Sequence, residues 1–133
     1  MIEILDHVVN ADIRKKAAKR FKEKGIVFPT FAQMRNPELV PAEVKEKLKT
    51  IGLWDLDPAN LFRITWKNEP VKTGGGFGKV NYIEIPKEIT GVKARIFLML
   101  GKYFPTGAHK VGAAYGCLAP RIISGQFDPE YHK

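Results

Sequence analysis

Apolar positions in the first part of the chain recur at helical spacing. Ile13, Ala17 and Phe21 stand four apart in ADIRKKAAKRFKEKG, and lysines and arginines fill most positions between them. This pattern predicts an amphipathic helix, capped by Asn10 or Asp12 and ending at Gly25. IVFPTFAQMRNP, broken by Pro29 and Pro37, reads as a loop or short extended piece. A second helix is predicted over PAEVKEKLKTI, with Pro41 in its first turn, Gly52 after its last, and Val44, Leu48 and Ile51 on its buried face. GLWDLDPANLFRITWKNEP is aromatic and turn-rich, with FRITW as a short strand. VNYIEIP (80–86) and ARIFLML (94–100) are the stronger strand candidates. The second is a continuous apolar run, as expected of a strand buried on both faces. Helical spacing returns at Val111, Ala114, Tyr115, Leu118 and Ile122, and Pro120 should kink that helix or end it early. Strand, tight loop and helix in succession is the unit from which α/β sites are built.

Composition narrows the class. The chain has 133 residues, 44% hydrophobic and 27% charged, which predicts a soluble globular protein with a core of its own. No apolar run reaches membrane-spanning length, and MIEILDHVVNADIRKK lacks the order of a signal peptide, so a cytoplasmic protein without membrane contacts is expected. The single cysteine, Cys117, excludes an internal disulfide framework and a cysteine-based zinc cluster. His7, His109 and His132 have no ligand spacing, so no metal is expected.

Net charge of +8 raises the question of nucleic acid. Much of that charge sits in Arg14, Lys15, Lys16, Lys19, Arg20, Lys22 and Lys24, on the first predicted helix. The same pattern serves as the solvated face of an amphipathic helix, and no aromatics interleave the charges to make a stacking platform. Nucleic acid is therefore not among the expected partners. A small basic nucleic-acid-binding module, or a non-catalytic interaction subunit, is the alternative to the reading developed below.

Two stretches invite a chemical reading. KTGGGFGKV (72–80) looks like a phosphate loop, but its spacing fits neither the Walker A motif nor the dinucleotide fingerprint, so it reads as a flexible surface loop. FPTGAHKVGAA (104–114) is more informative. It puts Lys110 behind a Gly-containing turn and at the head of a helix rich in small residues. Backbone N–H groups at a helix start favour an anion and disfavour a second cation, and burial would push the amine toward its neutral form. A neutral lysine is a nucleophile whose natural chemistry is Schiff-base formation with a carbonyl. Gly112, Ala113, Ala114 and Gly116 would let the helix approach other backbone closely.

RIFLMLGKYFPTGAHKVGAAYG (95–116) resembles the strand–loop–lysine–helix segment of fold-type II pyridoxal phosphate enzymes, and TGAHK resembles the lysine motif of the tryptophan synthase β-subunit. GIVFPTFAQMRNP, GLWDLDP, LFRITWKNEP, GGGFG and AHKVGAAYGCLAPRIISGQFDP extend the likeness to tryptophan synthase β-like pyridoxal-phosphate-dependent proteins, across nearly the whole chain. The resemblance implies an α/β fold, with residues 1–70 a helical N-terminal extension and 71–133 the start of the cofactor-binding core. It implies that pyridoxal 5′-phosphate is held by Lys110 as a Schiff base, that His109 lies close to the cofactor phosphate, and that Thr106 and Gly107 shape the loop beneath it. The implied activity is lyase or synthase chemistry, β-elimination or β-replacement on an amino acid.

Two departures qualify it. Gly112 replaces a polar residue of the tryptophan synthase β-subunit, so tryptophan synthesis is not carried over. The resemblance also covers only the N-terminal portion of such an enzyme. The remainder of the catalytic chain or a complementary subunit is therefore an expected partner, the complete enzyme is expected to be a homo-oligomer, and the 133-residue chain alone is expected to be inactive.

Overall fold

The computed structural model describes residues 7–69, 72 and 75–132. It is a mixture of helices with one small two-stranded sheet. The chain divides into two compact units, one built from the residues up to Phe28 with those from Lys110 onward, the other from Pro29–His109.

In the first unit, helix α1 spans Ala11–Glu23. Asn10 caps it, its Oδ1 accepting the N–H groups of Asp12 at 3.0 Å and Ile13 at 3.1 Å. Ala17 is buried, with Ile13 and Phe21 half-buried beside it, as the spacing predicts. The basic face is not wholly solvated. Lys16 pairs with Glu130 at 2.5 Å and Asp128 at 3.4 Å, and Arg20 reaches Glu130 at 3.1 Å. The hydrogen bond from Lys16 is the main cause holding the Glu130 carboxyl below its usual range.

The long helix of this unit, Lys110–Ser124 (α5), packs against α1. Pro120 does not end it. Arg121 folds back, its Nη1 donating to the Cys117 carbonyl at 2.9 Å, and the helix runs on to Gly125 in the left-handed region (φ 77°). The buried face is Tyr115, Ala119 and Ser124 rather than the full predicted stripe, with Ala114 and Leu118 exposed. Phe28 lies tilted by 53° at 4.9 Å from Phe21 and edge-on at 5.7 Å from Tyr115, whose hydroxyl pKa burial pushes up to about 12. The Ser124 carbonyl accepts the N–H groups of Val9 at 2.8 Å and Asn10 at 3.1 Å, joining the end of one helix to the start of the other.

In the second unit, α2 spans Phe31–Arg35, where a loop or extended piece was expected. Its cause is a capping box: Thr30 Oγ1 accepts the Gln33 N–H at 3.1 Å, and Gln33 Oε1 accepts the Thr30 N–H at 2.9 Å. Pro37–Leu39 forms a 3₁₀ turn, and α3 follows over Ala42–Leu48, ending short of Ile51. FRITW is not a strand. Asp57 caps a 3₁₀ helix over Pro58–Arg63, accepting the Ala59 N–H at 2.9 Å. The core of this unit is Val40, Leu48, Ala59 and Phe62, with Val44, Ile51 and Phe77 packed on it.

Strands β1 (Tyr82–Ile85) and β2 (Ile96–Met99) pair antiparallel, with Tyr82 opposite Met99 and Ile85 opposite Ile96. The short helix α4, Lys87–Thr90, and a left-handed Gly91 (φ 67°) join them. β2 is not buried on both faces. Phe97, Leu98 and Met99 are all exposed, because a two-stranded sheet offers its apolar run no second layer.

Arg63 dominates the polar interior. It is wholly buried, its Nη1 donating to the Gly75 carbonyl at 2.6 Å, its Nη2 to the Leu48 carbonyl and its Nε to Asn60 Oδ1 at 3.2 Å. Burial lowers the guanidinium from its usual range, yet arginine stays charged in proteins. Asn68, also buried, donates from Nδ2 to the carbonyls of Arg63, Thr65 (3.1 Å) and Tyr103 (3.0 Å). Asn81 extends the network through the carbonyls of Asn68 and Trp66. Gly75 is thus buried and held, which corrects the surface-loop reading of KTGGGFGKV (72–80) at that position, while Lys72 and Gly78, Lys79 and Val80 are exposed; Thr73 and Gly74 lie outside the described residues.

Candidate active-site loop

The lysine loop begins where β2 ends. The Leu100 N–H donates to the Asn81 carbonyl at 3.0 Å, and Gly101–Tyr103 then turns as a 3₁₀ helix. Phe104 and Pro105 are buried, and Phe104 sits edge-on against Trp66 at 4.9 Å. These two apolar residues anchor the loop.

Its tip carries backbone strain. Thr106 has φ 61°, the left-handed region that a β-branched residue enters at a cost, and Gly107 follows at φ 71°. Two hydrogen bonds hold this shape: the Thr106 N–H donates to the Leu53 carbonyl at 2.8 Å and the Gly107 N–H to the Phe104 carbonyl at 2.9 Å. Ala108 returns the chain to extended backbone (φ −138°).

The His109 ring lies parallel to Trp66, with 6.0 Å between centroids and 26° between planes. Its Cβ fills the space beside Gly101, where an added Cβ would stand 2.9 Å from it, so only glycine fits at 101. The structure therefore brings Thr106, Gly107 and His109 into one loop, all exposed. Lys110 is the next residue, the first of the 15-residue helix α5, and it is exposed. The burial expected of this lysine is not what the structure shows.

Sequence reasoning missed Trp66, Gly101 and the Asn68–Asn81 network as the loop's support. The clue lay in ITWKNEP, whose Trp and Asn belong neither to an alternating strand nor to a solvated turn.

The loop's chemistry can be set against a pyridoxal phosphate. An accessible primary amine suits the aldehyde. An imidazole such as that of His109 is a group of the type that binds phosphate, as are, separately, the N–H groups that a helix start leaves without intrahelical partners. The donor set fits those two parts of the cofactor. Among the described residues no cluster of His, Cys, Asp or Glu could hold a metal ion, and no helix is long and apolar enough to cross a membrane. No protein-family model, curated protein or solved structure matches this chain.

Proposed function

We propose that the chain is the N-terminal portion of a pyridoxal-phosphate-dependent enzyme of the tryptophan synthase β-like, fold-type II group, acting on an amino acid by β-elimination or β-replacement. The observation that carries this reading is the placement of Lys110 as the first residue of α5, directly after a strained Thr106–Gly107 turn and a histidine fixed against Trp66. Bound pyridoxal phosphate would supply an electron sink for a carbanion at the amino acid's α-carbon. Lys110 Nζ would hold the cofactor at its aldehyde carbon and move a proton at the substrate's α-carbon. His109 would bind the phosphate, and its stacking on Trp66 orients the imidazole before any ligand arrives. Thr106 and Gly107 would form the floor, which their two backbone hydrogen bonds keep in one shape.

The exposed sheet supports the same reading. Ile83 and Leu98 project from one face of β1–β2, and Tyr82, Phe97 and Met99 from the other, and each of them is exposed. A sheet apolar on both faces is suited to a sandwich of covering layers. The remainder of the catalytic chain, or a complementary subunit, would supply them.

The test is chemical labelling. The chain is incubated with pyridoxal 5′-phosphate, reduced with borohydride and mapped by peptide mass. Reduced cofactor should concentrate on Lys110, and Lys110→Ala should remove that peak while other lysines keep only a low background. Label spread evenly over the surface lysines, or centred on another, would sink the assignment.

A further inference from the structure

We infer that the face of α1 beside the C-terminal end of α5 is a docking groove for an acidic amphipathic helix of a partner protein. It belongs to the first unit and shares no residue with the lysine loop. The inference stands whether or not Lys110 carries a cofactor.

The groove is two adjoining hollows, of about 480 Å³ and about 190 Å³, that share Arg14 and Ala18. Val8 and Ala11 line the first, and Phe21, Ile122 and Ile123 line the second. Helix geometry sets the order across this face of α1. Ala11 and Ala18, seven residues apart, lie in one row, and Lys15 and Lys22, also seven apart, lie in the row beside it. Arg14 stands on the other side of the alanines. From Ala11 to Lys22 the face runs for about three turns, or about 16 Å, which suits a partner helix of similar length. The two alanines let that helix come close.

The unit itself leaves this face open. On α1 only Ala17 is buried, and on α5 only Tyr115, Ala119 and Ser124. Val8 is 46% exposed and Ile123 51%. Helical bundles bury such residues by adding further helices to a pair. The groove is also held in advance of binding. The Ser124 carbonyl accepts the N–H groups of Val9 and Asn10, and Gly125 leaves no room for a Cβ beside the Asn10 carbonyl. A preformed groove lowers the ordering cost of docking.

Charge selects the partner. The cations of α1 divide by face: Lys16 and Arg20 are engaged by Asp128 and Glu130, and Lys19 faces Glu23 at 3.9 Å. Arg14, Lys15 and Lys22 make no ion pair among the described residues. Asp12 is the one carboxylate lining either hollow, so against these three cations the face keeps positive charge. Small apolar residues between cations match a helix with an apolar ridge flanked by carboxylates. Other polyanions fit less well. Duplex phosphates would gain nothing from alanine and isoleucine. A bilayer would need the apolar stripe of α1, yet Ala17 is buried and Ile13 and Phe21 half-buried within the unit.

The probe is a capped peptide of about fourteen residues, with leucine at the a and d positions of its heptads, glutamate at e and g, and alanine elsewhere. Titrated into the full chain and followed by amide NMR, it should shift the signals of Ala11, Ala18, Phe21 and Ile123 to saturation. Lysine in place of its glutamates should weaken binding at least about tenfold. Arg14→Glu should weaken the glutamate peptide about tenfold, whereas Lys93→Glu, the same change of net charge in the other unit, should alter it less than about twofold. Ala18→Leu fills the groove with a good helix former and should weaken binding about tenfold, so it serves if Arg14→Glu does not fold. The site is overturned if those signals do not saturate, if a folded Arg14→Glu or Ala18→Leu chain binds as before, or if the lysine peptide binds equally. It is also overturned if phosphatidylserine vesicles or duplex DNA move the same signals and the peptide does not. Shifts that grow with protein concentration alone would give the groove to a second copy. Binding seen only after Glu3→Gln and Asp6→Gln would give it to the chain's own first residues, and either result sinks the proposal.

Discussion

Two glycine-bearing segments of the Pro29–His109 unit solve the same problem in opposite ways. Gly75–Gly78 is held from inside: Gly75 is buried, and its carbonyl accepts from a guanidinium that has no solvent exposure at all. Pro105–Gly107 is held from its ends: Phe104 and Pro105 are buried, two backbone bonds fix the turn, and Thr106 and Gly107 stay exposed. The first segment satisfies a buried charge that would otherwise be expensive, so its geometry is part of the fold's stability. The second stores local strain and leaves its polar groups in reach of solvent and ligands.

The largest effect expected from this difference is at Arg63. Arg63→Ala would orphan the carbonyls of Leu48 and Gly75 and open a cavity beside Asn60, costing about 3–5 kcal/mol. Lysine should restore little of this, because one ammonium cannot reach acceptors arranged for a planar fork. Urea denaturation of the variants measures it. A loss under about 1 kcal/mol would mean that the guanidinium is not what holds the glycine segment.

A paired substitution sharpens the contrast. Gly75 and Gly107 both sit in the left-handed region, at φ 63° and 71°, so alanine at either carries a similar strain of about 1–2 kcal/mol. Their surroundings differ. At Gly75 the new Cβ would lie 3.2 Å from Arg63 Nη2, whereas at Gly107 the nearest atom is Trp54 Cζ2 at 3.8 Å, ordinary contact. Gly75→Ala should therefore cost more than Gly107→Ala, by about 1 kcal/mol, as the guanidinium is pushed off its acceptors. Equal losses in the same denaturation assay would show that Arg63 can give way freely, and the distinction between the two loops would fail.

How far this was legible in the sequence depends on whether the deciding contacts are local. α1 could be read because Asn10 caps it and Ile13, Ala17 and Phe21 mark one face, all within a few turns. The start of α5 at Lys110 could be read from the small residues after the Pro-Thr-Gly turn. α2 could have been read too: Thr30 and Gln33 make the T-x-x-Q signature of a capping box, which Pro29 and Pro37 obscured. FRITW misled because Arg63 alternates with apolar neighbours like the outward residue of a strand, when it is the most buried charge in the described molecule. Nothing local tells that its partners are Leu48 and Gly75, 15 and 12 residues away. The same holds for β2, whose apolar run specifies a strand but not whether anything covers it. At the candidate site, Thr106, Gly107, His109 and Lys110 were legible as neighbours in sequence. The Trp66 stack and the Asn68 bond to Tyr103 were not, since they join residues dozens of positions apart.

The smallest effect expected is an acid dependence of the Arg63 clamp, through Asp57. Asp57 caps the 3₁₀ helix that carries Arg63, and it pairs with Lys47 of α3 at 2.8 Å. The hydrogen bond from Lys47, then that from the Ala59 N–H, holds its carboxyl below the ordinary 3.8. The folded protein therefore releases this proton more readily than the unfolded chain. Its contribution is complete above about pH 4, shrinks as pH falls through 3.8, and is gone below the depressed folded value. Because the pair is partly exposed, the contribution should be under about 1 kcal/mol. Asp57→Asn keeps the cap's acceptor but not the charge, so it should flatten the acid limb of urea midpoints measured from about pH 6 to 3. Amide exchange adds the local reading. Protection at Ala59 and Asn60, which bond to Asp57, should fall with acid beyond the general loss of stability, while Thr106, bonded to the Leu53 carbonyl, should show only that general loss. If protection at Thr106 falls as steeply as at Ala59, the two segments loosen as one, and acid does not distinguish the clamped loop from the strained one.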